Sequence, residues 1–201
     1  METYNLATIT KKIYDSKFLL FYTKTLKDIL GIKKQSTLFN IIKKLIDAGV
    51  LSRIGKNKYL LKEKNIKDFS IANFIYNSSY ISFESALNFY GILSQFPYEI
   101  SSATSRKSAK KYFQNKIFTY THIQKNLFWG YEKKDDFIIA YPEKALLDQL
   151  YLSSKGYKKI NIDECDFTNI KISRLKKYLK QYPKTKQFLK IIKTLKTYLN
   201  I

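Results

Sequence analysis

The chain has 201 residues, 45% of them hydrophobic and 16% aromatic, enough apolar material to bury a core in one domain or two, so disorder is not the default reading. It carries 37 Lys plus Arg against 16 Asp plus Glu, a formal net charge of +21, which attracts polyanions and makes binding salt-dependent. A single cysteine, Cys165, and a single histidine, His122, exclude an intrachain disulfide, a cysteine-based zinc site and a histidine-rich metal site.

Neither G-x-x-x-x-G-K-S/T nor G-x-G-x-x-G occurs, so the familiar nucleotide-cradling loops are missing and no cofactor or metal is expected. No apolar run reaches the roughly 18 residues of a membrane span, and METYNLATITKK lacks the apolar core of a signal peptide. A cytoplasmic, soluble protein with no membrane partner is expected. Only Arg53, Arg106 and Arg174 are arginines, so a lysine-rich composition contributes to the net charge and the charge alone does not establish a ligand.

In chain order, residues 3–14 place Leu6, Ile9, Ile13 and Tyr14 on one side, the pattern of a first helix. Residues 18–22 are a short apolar run that reads either as a strand or as the packing end of that helix. Thr25 is expected to cap LKDILGI, with Leu26, Ile29 and Leu30 inward and Gly31 ending the helix in a left-handed conformation.

A turn over residues 32–35 then leads into KKQSTLFNIIKKLIDAGV. There Leu38, Ile41, Ile42, Leu45 and Ile46 build one apolar stripe, and Gly49 closes the helix. Strands at 51–54 and 59–61, joined by Gly-Lys-Asn-Lys, complete a helix-then-hairpin order, which is how a winged helix-turn-helix presents itself to DNA.

Residues 33–61 are therefore the expected duplex-DNA reader. Gln35, Ser36, Thr37 and Asn40 are the candidates for base edges, because amides pair with adenine and a threonine methyl packs on thymine. Lys33, Lys34, Lys43, Lys44, Arg53, Lys56 and Lys58 are the candidates for phosphates. A winged helix used only for protein contacts is the bland alternative.

The polar stretch KEKNIKD, residues 62–68, reads as a linker between domains at 1–64 and 69–201. Beyond it, Phe69, Ala72, Asn73 and Tyr76 suggest a helix, and Ser82 is expected to cap a second, FESALNFYGIL, ended by Gly91. Period-two alternation in EISSAT, KIFTYTHI, LFWGY and FIIAY predicts several antiparallel strands across 98–141. SRKSAKKYF between the first two reads as a loop or a helical turn or two.

Pro142 opens a helix, PEKALLDQLYLSS, at the position proline favours, and Gly156 closes it. Two amphipathic helices follow, separated at Pro183. The second carries Phe188, Leu189, Ile192, Leu195 and Leu199 on one face and Lys186, Lys190, Lys193 and Lys196 opposite. The fold class is thus α+β: a winged helix-turn-helix, then helices around a small antiparallel sheet, then two amphipathic helices.

Glu84, Glu143 and Asp148 are the acids that a catalytic reading would use, but Glu84 and Glu143 sit in first helical turns, where a carboxylate stabilises the helix by about 0.3–1 kcal/mol. No catalytic residues are expected. The acidic island 163–166 lacks the spacing of a calcium loop and reads as a solvated turn. Arg106, Lys107, Lys110 and Lys111 form a basic cluster open to DNA flanking the site, to RNA, to an acidic protein, or to solvent alone.

The segments YISFESALNFYGI (80–92), FTY (118–120), FWG (128–130) and AYPEKALLD (140–148) resemble, in order and spacing, the AbiEi family of type IV antitoxins. That resemblance implies an N-terminal domain that binds the promoter of its own operon as an autorepressor. It also implies a C-terminal domain that counters a nucleotidyltransferase-like toxin in abortive phage infection, without a required antitoxin–toxin complex.

Carried over by position, Ser82, Ser85, Tyr90, Gly91, Glu143, Lys144 and Asp148 match the C-terminal motifs. Tyr90, Lys144 and Asp148 are expected as surface groups, the remainder as fold. The expected partners are double-stranded promoter DNA and, functionally, the cognate toxin. The alternative is a protein- or RNA-interaction module that neutralises the toxin by contact. Residues 173–201 lie outside the recognised motifs.

Overall fold

The computed structural model describes residues 5–62 and 64–201, so Thr3, Tyr4 and Glu63, parts of the expected first helix and linker, lie outside the described residues. The chain divides into two compact units, residues 1–67 and 68–201, each described by itself below. The architecture is α+β, with eight α-helices and two sheets among the described residues. None of these helices is long and apolar enough to cross a membrane.

In the first unit, α1 (Leu6–Asp15) starts at Asn5, whose side chain accepts from the Ala7 backbone N–H. Strand β1 (Leu20–Tyr22) runs straight into α2 (Thr23–Leu30). The cap residue is Tyr22 and not Thr25, because the backbone leaves its extended conformation as soon as β1 ends. Gly31 takes φ +67°, as the C-terminal signal required.

Helix α3 (Gln35–Asp47) then buries Leu38, Ile41, Ile42 and Leu45. Hairpin strands β2 (Leu51–Gly55) and β3 (Lys58–Leu61) turn over Lys56 and Asn57, the latter at φ +59°. The three strands form an antiparallel sheet in the order β1-β3-β2. One core, including Ile13, Phe21, Leu26, Leu38, Leu45, Leu51 and Tyr59, holds the three helices against the sheet. Burying such side chains stabilises by about 1.5–3 kcal/mol each.

The second unit is built on a six-stranded sheet in the order β6-β7-β5-β4-β9-β8. Its strands are β4 (Ser79–Ile81), β5 (Ile100–Thr104), β6 (Ala109–Phe113), β7 (Lys116–His122), β8 (Tyr131–Lys134) and β9 (Phe137–Ala140). This corrects the expected antiparallel sheet: β4 pairs with β9, and β5 with β7, in parallel, so the sheet is mixed. The connection between β4 and β5 carries α5 (Phe83–Phe89), and the long segment between β4 and β9 lets a parallel neighbour return.

SRKSAKKYF, expected as a loop or a helical turn or two, contains edge strand β6, whose residues are mostly exposed and so give no buried alternation. LFWGY is not one strand: residues Lys125–Leu127 form a 3-10 turn, and only Tyr131 begins β8. Helix α4 (Asp68–Ile75) packs on one sheet face, where the Tyr120 hydroxyl donates to the Ala72 carbonyl at 2.7 Å.

Helix α6 (Pro142–Ser154) is the centre of the unit, buried on every side from Glu143 to Leu152. Around it lie α7 (Ile172–Leu179) and α8 (Lys186–Leu199). Phe188, Ile192 and Leu195 are buried as expected, but Leu189 is 47% exposed because it falls outside their stripe.

Candidate functional site

Two arrangements of polar side chains stand out, one in each unit. In the first, the stripe that anchors α3 leaves its other side in solvent. Lys33, Lys34, Gln35, Ser36, Asn40, Lys43 and Lys44 are exposed and Thr37 is half-buried. The hairpin adds Arg53 and Lys56, both exposed, with the Arg53 guanidinium held by the Gly55 carbonyl at 3.3 Å. Lys58 is half-buried, with its ammonium 5.6 Å from the Tyr22 ring centre. Apart from Lys33 and Lys34, which lead into α3, these residues belong to one helix and one hairpin fastened to a single core, so their spacing is set by rigid elements.

The sequence reading missed Phe39. It is 44% exposed on α3 and, with Gln35, Tyr22, Thr23, Lys24, Lys27 and Asn57, lines a groove of about 670 Å³. The signal was present, because Phe39 falls off the 38-41-42-45 stripe, and an aromatic ring off the packing face calls for another partner.

The second arrangement joins segments that are far apart in sequence. Lys144 and Asp148 stand one turn apart on α6, both 0% exposed, and form an ion pair. Asp148 Oδ2 accepts from the Tyr80 hydroxyl and from Ser82 Oγ, each at 3.0 Å. Its Oδ1 accepts from the Tyr182 hydroxyl at 2.7 Å and from the Lys144 ammonium. Lys144 also donates to the Tyr80 hydroxyl at 3.0 Å.

The ammonium lies 5.0 Å from the Trp129 ring centre, 5.3 Å from that of Tyr182 and 5.5 Å from that of Tyr80. It is enclosed by three aromatic faces. Gly130, at φ +74°, completes the enclosure, since a Cβ there would stand 3.0 Å from Lys144 Cγ.

Electrostatics follow from that enclosure. Burial lowers the Lys144 pKa, while the Asp148 charge works to raise it. Burial raises the Tyr80 and Tyr182 hydroxyls well above 10.0, and the charge of Asp148 raises them further. Pairing and hydrogen bonding are what make two buried charges tolerable.

Lys144 and Asp148 are therefore not surface groups, which corrects the expectation. Helix α6 is buried all round, so no exposed face was there to display them. Ser82 does not cap α5 with its side chain, because its hydroxyl is committed to Asp148.

The other motif residues also serve the fold. Ser85 Oγ accepts from the Ser101 N–H at 2.8 Å, fastening α5 to β5. Glu143 accepts from the Lys171 N–H at 2.7 Å at the start of α7, with Arg174 Nη1 at 3.5 Å. The Tyr90 hydroxyl is buried with no hydrogen-bond partner among the described residues, and burial raises its pKa.

Glu84 pairs with Lys158 at 2.6 Å and accepts from Gln149 Nε2 at 2.9 Å, so the three acids considered for catalysis do not share one cleft. Tyr182, from the segment that matched no motif, was not foreseen. Of the basic cluster, Lys110 pairs with Glu99, while the Arg106 guanidinium lies 5.3 Å from the Tyr76 ring centre. Among the described residues no group of three or more His, Cys, Asp and Glu side chains is placed to hold a metal.

No protein-family model matches the chain, and no curated protein matches it in sequence.

Proposed function

We propose that the first unit is a winged helix-turn-helix that binds duplex DNA upstream of its own gene. In this reading α2 and α3 are the helix pair and the β2–β3 hairpin is the wing. The carrying observation is that one rigid body exposes amides and hydroxyls at the start of α3 beside lysines further along it, with basic residues on the hairpin. Gln35, Ser36, Thr37 and Asn40 face base edges, Phe39 offers an apolar surface for a thymine methyl, and the lysines and Arg53 neutralise phosphates.

The role proposed for the whole chain is that of an antitoxin and autorepressor of a type IV abortive-infection locus, on the strength of the AbiEi resemblance. Its support here is that the separate motif pieces, Tyr80 and Ser82 from one, Trp129 and Gly130 from another, Lys144 and Asp148 from a third, meet in one cluster. A shared sequence pattern has a physical cause if it encodes one shared packing unit. The proposed partners are the promoter duplex and, functionally, a nucleotidyltransferase-like toxin.

Co-expression with the product of the adjacent gene tests the antitoxin role. Growth rescued by this chain supports it, and a neighbour with no toxic activity removes it.

A further inference from the structure

The four most exposed large hydrophobic side chains among the described residues are Phe96 (91%), Tyr98 (89%), Tyr157 (74%) and Tyr112 (70%). All four gather around one sheet face of the second unit. Phe96 and Tyr98, in the loop before β5, line a groove of about 350 Å³ that reaches Thr119 of β7, and Tyr157, just past α6, lines a hollow of about 440 Å³ that reaches Thr121. Thr119 and Thr121 are two residues apart on one strand, so their side chains share a face. Lys110 pairs with Thr119 and Tyr112 with Ile117 across β6 and β7, which brings the fourth ring to that same face.

This part of the sheet is uncovered. Lys110 and Tyr112 are exposed, and Ile117, Thr119 and Thr121 are only half-buried. A contiguous aromatic surface of this kind marks an interaction site, and the four rings alone expose about 500–800 Å², against the roughly 800 Å² that each partner contributes to a standard interface.

The charge of the surroundings selects the occupant. Glu84, Glu99 and Glu164 stand at this face against Lys110, Lys155 and Lys158, a balance of signs in a chain whose net charge is +21. Two of the carboxylates are already paired there, Glu99 with Lys110 and Glu84 with Lys158. The unpaired cations nearby belong to the other side of the sheet: Lys111 pairs with Phe118 on the face where Tyr120 meets α4, and the Arg106 guanidinium lies over Tyr76, just beyond that helix.

A polyanion or an anionic membrane would call for an excess of lysine around the rings, and a basic partner for an excess of carboxylate. A second copy calls for neither. A two-fold interface sets a patch against its own image, so in so basic a chain only a patch whose charges cancel avoids repelling itself. Exposed tyrosine and phenylalanine are also the side chains that protein interfaces enrich.

We infer that this face is the two-fold interface of a homodimer, with Phe96, Tyr98, Tyr112 and Tyr157 packed against the same face of a second copy. It goes beyond duplex recognition by the first unit and does not rest on it.

The test is sedimentation equilibrium of the full chain, nuclease-treated and without DNA, at about 150 and about 500 mM salt. The expected mass is twice that of the chain at both salt concentrations, because balanced charges leave little for salt to screen. The Phe96→Ala/Tyr98→Ala variant should dissociate about a hundredfold more readily, since each ring is lost from both copies, and far-UV circular dichroism should show its monomer folded, since both side chains are in solvent.

A native chain that stays monomeric up to about 100 μM, well above the dissociation constants of specific dimers, would overturn the inference, as would a dimer that the variant leaves intact. Association that disappears at the higher salt or on nuclease treatment would overturn it in favour of an electrostatic contact elsewhere. A different protein captured by a monomeric native chain and lost in the variant would give the face to that partner instead.

Discussion

Lys43 and Lys44 on α3 and Lys144 on α6 are the same residue type in opposite circumstances. The first two are exposed on a helix whose other side is locked into the core, so their charge projects into solvent where a phosphate could meet it. Lys144 is 0% exposed, paired with Asp148 and enclosed by Tyr80, Trp129 and Tyr182, so its charge is satisfied inside the molecule. In the first unit cations are replaceable parts of a surface. In the second, one cation specifies how β4, α6 and the turn after α7 come together.

The largest expected effect breaks the second arrangement. Asp148→Ala leaves a lysine ammonium buried without its counter-charge and leaves Tyr182 and Ser82 without their acceptor. Removing one partner of a buried pair costs about 3–5 kcal/mol, so urea unfolding of the second unit should shift by that amount. A shift under about 1 kcal/mol would mean that water reaches the pair.

Tyr182→Phe is milder. It removes one hydrogen bond to a charged oxygen and should cost about 1.5–3 kcal/mol. The same substitution should leave duplex binding unaltered. Because Tyr182 comes from the segment outside the recognised motifs, this variant asks whether that segment is a structural part of the second unit.

Alkaline pH probes the same cluster without mutation. Tyr80, Tyr90, Tyr120 and Tyr182 all have raised pKa values in the folded chain. The unfolded tyrosines give up protons near 10.0 while the folded ones keep them, so the folded state binds more protons and stability falls as pH rises above about 10. Lys144 acts in the opposite sense, since its lowered value means the folded state holds fewer protons below 10.5. With four tyrosines against one lysine, equilibrium unfolding should show a net loss above pH 10, smaller in Tyr182→Phe.

The smallest effect on stability falls on the first unit. Lys43→Ala/Lys44→Ala should change unfolding by less than about 0.5 kcal/mol, as exposed substitutions do. In duplex binding the same variant should flatten the dependence of log affinity on log salt by about 0.9 for each phosphate no longer neutralised. A destabilised fold with an unaltered salt slope would reverse the contrast between the two lysine settings.

What could be read from sequence follows from burial geometry. Helix α3 was legible to within a residue or so because Leu38, Ile41, Ile42 and Leu45 form one buried face and Gly49 takes the left-handed conformation that ends it. Strand β4 went unseen because Ser79, Tyr80 and Ile81 are all buried and three residues carry no period. Strand β6 reads from sequence as a loop or a helical turn or two because the sheet edge leaves Lys110, Lys111 and Tyr112 exposed.

The Lys144–Asp148 pair was visible as a one-turn spacing, but its burial was not, because a helix covered on all sides has no polar face to give it away. Tyr182 was beyond reach, since only the tertiary fold brings it to Asp148.

The proposed reading of duplex DNA by α3 and the hairpin, upstream of the protein's own gene, stands or falls on footprinting of that region with the full chain at about 150 mM salt, against excess random duplex. A protected segment that persists under competition, and loses preference at one base position in Asn40→Ala, is the expected result. Uniform binding to both duplexes, abolished equally by competitor, would contradict it.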